Sequence, residues 1–253
     1  MRLLLVDIGN SRVKWALAER NRDDLLAGTP FASRGGELLA GLENQWAGLE
    51  PPQAVVAANV AGAETESHLA DWVREHWGLP VRWVNSRPEG YGVVNGYAQP
   101  ERLGVDRWVA LVGARYRFAL PLCVADCGTA LTLDALDGEG RHLGGWIVPG
   151  LSLMRHALMA ETGGVRVMEM VAAIPVGGLG VTTGEAVSGG AVRACSGLIE
   201  KTIADLATRL HVAPGLILTG GDAGSVGRDL AISCHWAPDL VLWGLLVIAR
   251  NGT

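Results

Sequence analysis

The chain has 253 residues and a formal net charge of −5, and 49% of its residues are hydrophobic against 19% charged. This composition predicts a folded protein of one or two domains and excludes an intrinsically disordered chain. The acidic balance and the lack of a dense Lys/Arg run argue against nucleic acid as the main partner.

Membrane attachment, secretion and zinc binding are not predicted either. The N-terminal apolar run is interrupted by Asp7, too early for a signal peptide, and the run from Leu240 to Ala249 is much shorter than the roughly 20 residues of a membrane-spanning helix. The four cysteines form no C-x-x-C pair, and the six histidines show no H-E-x-x-H spacing. We therefore expect a cytoplasmic protein with reduced thiols and no zinc site.

Residues 3–17 predict a strand, a tight polar turn and a returning strand. The turn Asp7-Ile8-Gly9-Asn10-Ser11 contains a glycine, which lets the backbone approach a bulky anion, and successive amide N–H groups of such turns bind anions. Asp7, at the end of the strand, is placed to face a cation or a water molecule. An acidic turn with glycine is also how an ordinary hairpin closes.

The same pattern recurs at residues 122–136. Aligning Asp126 with Asp7 also pairs Gly128 with Gly9 and matches apolar positions of the flanking strands. Chance similarity between two hairpins is one explanation. The other is a duplication, with two lobes that face a shared nucleotide.

Between the two turns the pattern alternates helices and strands. Helix, buried strand, helix and strand are predicted in that order, over residues 36–49, 54–60, 66–78 and 81–84. The segment 87–100 is rich in Gly, Pro and Tyr and is long for a plain connection, and such loops are often functional. Its Tyr91 and Tyr97 are either pocket residues or surface residues.

A helix is predicted to begin near Asp106 and to run to about Phe118. An aspartate at a helix start is usually an N-cap. Together with Arg107 it also forms a carboxylate and guanidinium pair that can hold an oxygen-rich substrate. Both interpretations remain open at this point.

The second half continues with a glycine-flanked strand over 144–150 and a helix over 151–160. These glycines place amides against a phosphate or serve tight packing. After a loop over 163–180, a helix runs from Thr183 to about His211, with the TTGE sequence as a candidate capping box. A strand, a Gly220-Gly221 turn that can accommodate a purine, and an apolar helix over 239–250 complete the chain.

Six motifs, in this order and spacing, resemble those of the type III pantothenate kinases, members of the acetate and sugar kinase/Hsp70/actin superfamily. The motifs are DIGNS at 7–11, GVDRW at 104–108, DCGTA at 126–130, GGWIVPG at 144–150, TTGEA at 182–186 and TGGDA at 219–223. The resemblance covers essentially the whole chain. It implies an α/β fold of two duplicated ribonuclease H-like lobes, with mixed sheets flanked by helices, over residues 1–119 and 120–253. The first lobe would carry the first phosphate loop and the catalytic aspartate, and the second lobe the Asp-x-Gly-Thr loop, the adenine turn and a dimerisation helix.

The resemblance also implies a role for individual residues. The ATP-binding residues would be Asp7, Ile8, Gly9, Asn10, Ser11, Arg12, Val13, Lys14, Thr129, Gly220 and Gly221. The substrate-binding residues would be Tyr97, Gly104, Val105, Asp106, Arg107 and Thr183. Asp106 would be the general base, Asp126 would bind a potassium or ammonium ion, and Asp7 would lie near magnesium, directly or through water. This chain departs from the family pattern at Ser11, often Thr, and at Thr182, often Asn.

The implied reaction is the ATP-dependent phosphorylation of the primary hydroxyl of pantothenate to 4'-phosphopantothenate, the first step of coenzyme A biosynthesis. The implied cofactors are ATP with Mg²⁺ and a monovalent cation, and the implied assembly is a homodimer with pantothenate bound near the interface. Two alternatives remain from the sequence: a kinase that acts on another small hydroxylated substrate, and a catalytically inactive nucleotide-binding regulator of the same fold.

Overall fold

The computed structural model describes residues 1–161 and 178–251, and the chain divides into two compact units. The first unit comprises Met1–Arg117 and the segment from Asp239 onward, and the second comprises Phe118–Pro238. Most of the loop predicted over 163–180 lies outside the described residues. None of the described helices has the length and apolar character needed to cross a bilayer.

The first unit is built on a mixed sheet. Its strands are β1 (Arg2–Ile8), β2 (Arg12–Glu19), β3 (Leu26–Ala27), β4 (Phe31–Ala32), β5 (Ala54–Asn59) and β6 (Val81–Trp83). They are ordered β3-β2-β1-β5-β6, with β4 also paired to β2. β1 is antiparallel to β2 and parallel to β5. The continuous apolar run of β1 suits this central position, where both of its faces are buried.

One helix follows β4 and another follows β5, and a third helix comes after a small hairpin. α1 (Gly35–Trp46) precedes β5, and α2 (Ala63–Trp77) ends at Gly78, whose left-handed φ of 66° is the usual helix stop. After β6 come the two short strands β7 (Glu89–Gly90) and β8 (Val93–Val94), a 3₁₀ turn at Pro100–Arg102, and α3 (Val105–Arg117).

The second unit repeats the sheet of the first. Its elements are β9 (Leu122–Cys127), β10 (Ala130–Leu136), β11 (His142–Pro149), α4 (Leu151–Glu161), α5 (Thr183–Leu210), β12 (Gly215–Thr219), α6 (Ala223–Gly227) and β13 (His235–Trp236). The order β11-β10-β9-β12-β13 matches that of the first sheet, with two antiparallel pairs followed by two parallel pairs. The expected α/β class with mixed sheets flanked by helices is confirmed, and the matching topology agrees with a duplication.

The C-terminal helix α7 (Leu240–Asn251) belongs to the first unit, whereas the lobe expected from the sequence, 120–253, included it in the second. It packs so closely on α3 that a Cβ on Gly113 would lie 2.4 Å from the Leu240 carbonyl oxygen, and one on Gly244 would lie 2.0 Å from the Val109 carbonyl oxygen. Nine of the twelve residues of α7 are buried, so this apolar helix needs a site enclosed on most sides, and α3 and the first sheet provide it.

Much of the unusual tryptophan content lies in one cluster of the first unit. Trp46 is fully buried, and its ring lies 5.8–5.9 Å from the rings of Trp15, Trp72 and Trp77. Such aromatic pairs contribute about 0.5–1.5 kcal/mol each beyond the burial of their area. The tryptophans of this cluster therefore join β2, α1 and α2 into the core of this unit.

Candidate active site

The first predicted phosphate loop is the hairpin between β1 and β2. Ile8 faces Val13 across the hairpin, and the Gly9 amide donates to the Arg12 carbonyl oxygen at 3.0 Å. A Cβ on Gly9 would lie only 3.3 Å from that oxygen, so the turn is narrow because this residue has no side chain. Asn10 is exposed at the tip.

Asp7 and Lys14 lie further from the tip of this hairpin than Arg12 does. Asp7 is only 8% exposed and is opposite Lys14 in the strand register. Ser11 and Arg12, nearer the tip, are exposed. An anion at the tip would therefore meet backbone amides and polar side chains, with the Asp7 carboxylate set further back.

The second group of site residues lies at the start of α3. Gly104 occupies the N-cap position, because its carbonyl accepts the first intrahelical hydrogen bond from the Trp108 amide at 3.0 Å. Asp106 is the second helical residue, and its Oδ1 accepts a hydrogen bond from the Arg107 amide at 2.8 Å. A Cβ on Gly104 would lie 2.6 Å from this same oxygen, so the glycine makes room for the carboxylate.

Arg107 connects this helix start to the preceding loop. Its side chain is buried, and its Nη1 donates to the Tyr97 hydroxyl at 2.7 Å, while its guanidinium carbon lies 5.5 Å from the centre of the Tyr97 ring. The structure thus brings together Tyr97, Gly104, Asp106 and Arg107, four of the residues that the sequence analysis named. Val105 lies between them as the first residue of α3.

Asn95 holds this loop in place and was not singled out in the sequence. It is 8% exposed, and its side-chain amide donates to the Arg87 and Pro100 carbonyl oxygens at 3.1 Å each. Its Oδ1 accepts from the Tyr97 amide at 3.0 Å. An asparagine within a Gly- and Pro-rich loop suggests a side chain bonded to nearby backbone, because Asn side chains readily form such bonds in turns. The sequence does not show which backbone groups it contacts, since these are set by the fold.

In the second unit, Asp126 lies near the end of β9, and Thr129 lies in the turn between β9 and β10. Gly150 packs against this turn, with its amide bonded to the Thr129 carbonyl oxygen at 2.9 Å, and a Cβ there would lie 2.2 Å from the Gly128 carbonyl oxygen. Gly220 packs on the other side, where a Cβ would lie 2.5 Å from Asp126 Oδ1. The glycines of three separate motifs therefore meet around one acidic turn.

The long helix α5 begins with the predicted capping box. Thr182 is the N-cap, its hydroxyl accepts from the Glu185 amide at 3.2 Å, and the Glu185 carboxylate accepts from the Thr182 amide at 3.2 Å. Thr183 is the first helical residue and is exposed. Because Thr182 is engaged in capping, Thr183 is the better placed of the two to bind a ligand.

The carboxylate oxygens of the acidic turns are of the type that hard cations such as Mg²⁺ bind. Among the described residues no cluster of three or more His, Cys, Asp or Glu side chains could hold a metal by itself. Mg²⁺ does not need such a cluster, since it usually binds one or two carboxylates together with substrate phosphates and water. Asp7 and Asp126 are single carboxylates beside phosphate-type turns, which fits cations that arrive with a nucleotide.

Comparison with known proteins decides the family. The family model for type III pantothenate kinase matches residues 3–205. A type III pantothenate kinase of Burkholderia multivorans is 39% identical over 99% of this chain and 97% of its own length. The corresponding enzyme of Nitrosococcus oceani is 35% identical over 98% and 94%. This chain belongs to the type III pantothenate kinase family.

Family membership accounts for the order of the motifs along the chain. The fold also has relatives outside the family. A solved structure from Sinorhizobium meliloti, named as a 2-dehydro-3-deoxygalactonokinase, covers 99% of this chain and 97% of its own with a TM-score of 0.62 at 15% identity. At that identity the likeness extends to the fold alone.

Proposed function

We propose that this chain transfers the γ-phosphoryl group of ATP to the primary hydroxyl of pantothenate and forms 4'-phosphopantothenate, the first step of coenzyme A biosynthesis. The observation that carries the proposal is the Asp106 carboxylate, fixed at the start of α3 beside the Tyr97–Arg107 pair, in a chain that matches the family over nearly its whole length. A cytoplasmic location is part of the proposal, since the reaction draws on the ATP pool there.

Asp106 acts as the general base. An aliphatic alcohol is far less acidic than a carboxylic acid, so the carboxylate orients the hydroxyl and takes its proton only as the new O–P bond forms. The hydrogen bond from the Arg107 amide to Oδ1 fixes the orientation of the carboxylate. Arg107 and Tyr97 present N–H and O–H groups to the oxygens of the substrate, and Gly104 and Val105 belong to the same group of residues. Thr183 is the residue of α5 that we assign to substrate binding.

Each acidic turn carries candidate nucleotide-binding residues. In the first unit residues 7–14 would bind phosphate through backbone amides and hydroxyls. In the second unit Thr129 would bind phosphate, and the Gly220-Gly221 turn would accommodate the adenine. Asp7 would hold the magnesium ion, directly or through water, and this ion would supply charge neutralisation on the phosphate oxygens. The Asp126 carboxylate would hold a potassium or ammonium ion.

The test of the base is Asp106→Asn, with ADP release measured in the presence of pantothenate. General base catalysis contributes roughly 10²–10⁴-fold, so turnover should fall by at least about 100-fold while ATP still binds. Glu64→Gln, at the exposed second position of α2, is the matched control and should leave turnover unchanged. Near-normal turnover in Asp106→Asn would overturn the assignment.

The monovalent cation is tested by replacing potassium with sodium at constant ionic strength. Activity should depend on potassium or ammonium in the wild type, and Asp126→Asn should lose this dependence. A wild-type enzyme that works equally well in sodium would contradict this part of the proposal.

The homodimer is supported by exposed apolar side chains in the second unit. Trp146 and Ile147 of β11 are 59% and 60% exposed, and α4 buries only Leu151 among its described side chains. Two glycines of α5, Gly190 and Gly197, have open space where a side chain would extend. A second copy of the chain would cover some of these exposed positions. In sedimentation, the wild type should be a dimer and Ile147→Lys a monomer. Leu26→Lys, in the first unit, is the control and should remain a dimer.

A further inference from the structure

The segment that follows β4 lies along the first phosphate turn. β4 pairs with β2 so that Ala32 faces Arg12, and the alignment continues beyond the strand. The Ser33 amide donates to the Ser11 carbonyl oxygen at 3.3 Å. The next residue, Arg34, lies opposite Asn10, and its Nη2 donates to Asn10 Oδ1 at 3.2 Å.

This segment is anchored from both sides, so the position of the Arg34 backbone is set by packing. The Phe31 ring packs edge-on against Trp46 at 5.9 Å and occupies the space left by Gly41, where a Cβ would lie 2.2 Å from the ring. Ser33 is fully buried, and its carbonyl oxygen accepts a hydrogen bond from the Thr65 hydroxyl at 3.2 Å. The Arg34 side chain, by contrast, is exposed beside the turn.

The hydrogen bond between the two side chains orients the Asn10 carboxamide. A guanidinium can only donate, so the atom that faces Arg34 must be the Asn10 oxygen. The Asn10 amide nitrogen, which is a donor, then points away from Arg34 and is available to an anion. Arg34 therefore determines that Asn10 presents N–H groups rather than its oxygen.

Arg34 also brings a positive charge to the turn. Within residues 1–161 and 178–251 its side chain forms no ion pair with a carboxylate, although the chain as a whole is acidic. A guanidinium has five N–H donors in a fork that matches phosphate oxygens, and Asn10 uses one of them.

We propose that Arg34 is a phosphate-binding residue of the nucleotide site. Arg34 orients the Asn10 carboxamide so that the N–H donors of Asn10 face the outer phosphates of ATP. The Arg34 guanidinium also binds these phosphates itself. This inference rests on the proposed function to the extent that the turn at residues 7–14 is the ATP site.

The test is the binding of Mg·ATP, Mg·ADP and AMP to wild type, Arg34→Ala, Arg34→Gln and Arg34→Lys, measured by calorimetry. A lost charge-assisted contact should weaken ATP about 10- to 100-fold in Arg34→Ala and leave AMP within about twofold. Arg34→Gln can still donate to Asn10 but has no charge, so its affinity should fall between those of the alanine variant and wild type, and Arg34→Lys should recover part of the affinity. Arg22→Ala, an exposed arginine of the same unit, is the control.

The outcomes separate this inference from the proposed reaction. Wild type that binds ATP but does not phosphorylate pantothenate refutes the substrate and leaves the role of Arg34 intact. Unchanged ATP affinity in a folded Arg34→Ala, wild-type affinity in Arg34→Gln, or an equal loss for AMP overturns the inference alone. Wild type that does not bind ATP overturns both.

Discussion

Replacement of Gly104 by alanine should inactivate the enzyme without unfolding it. The new Cβ would lie 2.6 Å from Asp106 Oδ1, and ordinary van der Waals contact begins at 3.4 Å, so the carboxylate oxygen must retreat by about 0.8 Å. The atom that the new Cβ would meet is at the end of the Asp106 side chain, which can move, and is not a backbone atom. Gly104 also has no positive φ that would exclude alanine. The carboxylate therefore rotates away, and its 2.8 Å hydrogen bond to the Arg107 amide is lost or lengthened.

The expected effect on rate is large and the expected effect on stability is small. A misplacement of about 1 Å at a reacting group can cost about 100-fold, so we expect kcat to fall by roughly that factor. The lost hydrogen bond and the loss of the glycine N-cap destabilise the fold. Against this, alanine has less conformational freedom than glycine in the unfolded chain, which stabilises a protein by about 0.4–1 kcal/mol. We therefore expect the free energy of unfolding to change by less than about 1 kcal/mol.

The assay is steady-state ADP release with pantothenate, together with urea unfolding of the same preparations. Gly36→Ala, in the first turn of α1 with open space around it, is the matched control and should leave kcat unchanged. If Gly104→Ala retained more than a third of wild-type kcat while Asp106→Asn was inactive, the inferred crowding of the carboxylate would be wrong.

Three further predictions concern stability. Gly220 has a φ of +92°, and a Cβ there would lie 2.5 Å from the Cys127 backbone, so Gly220→Ala should lower the free energy of unfolding by more than about 2 kcal/mol. Gly221→Ala, where the side chain would meet open space, is the control and should be tolerated. Equal urea midpoints for the two variants would contradict this prediction. Thr182→Ala removes the N-cap of α5 and should cost about 1 kcal/mol, read as a drop in Tm of about 2–4 °C. Burial raises the pKa of the Cys195 thiol from 9.0 to about 11, so unfolding releases a proton above pH 9. The urea midpoint should therefore decrease as the pH is raised from 9 to 11. This decrease should be smaller in Cys195→Ser.

The sequence predicted those features that depend on neighbouring residues. The apolar runs and acidic glycine turns predicted the hairpins β1–β2 and β9–β10, and the T-x-x-E spacing from Thr182 to Glu185 predicted a capping box that the structure contains. These features are local, because a turn or a cap is determined by residues within about four positions of each other.

Features that depend on tertiary packing were missed or placed differently. The contact between Arg34 and Asn10 joins residues 24 positions apart, and nothing in either local sequence indicates it. The helix α7 was assigned to the second lobe by its position in the chain, but it packs on α3 of the first unit. The positions of the tryptophans along the chain do not indicate which of them meet, yet Trp15, Trp46, Trp72 and Trp77 form one core.

The most direct test is the identity of the product. Wild-type protein incubated with Mg·ATP, potassium and pantothenate should form one ADP for each 4'-phosphopantothenate, detected by mass spectrometry as a gain of one phosphoryl group on the substrate. Protein that binds ATP but releases no ADP in response to pantothenate, or that phosphorylates other small hydroxylated compounds in preference, would contradict the account.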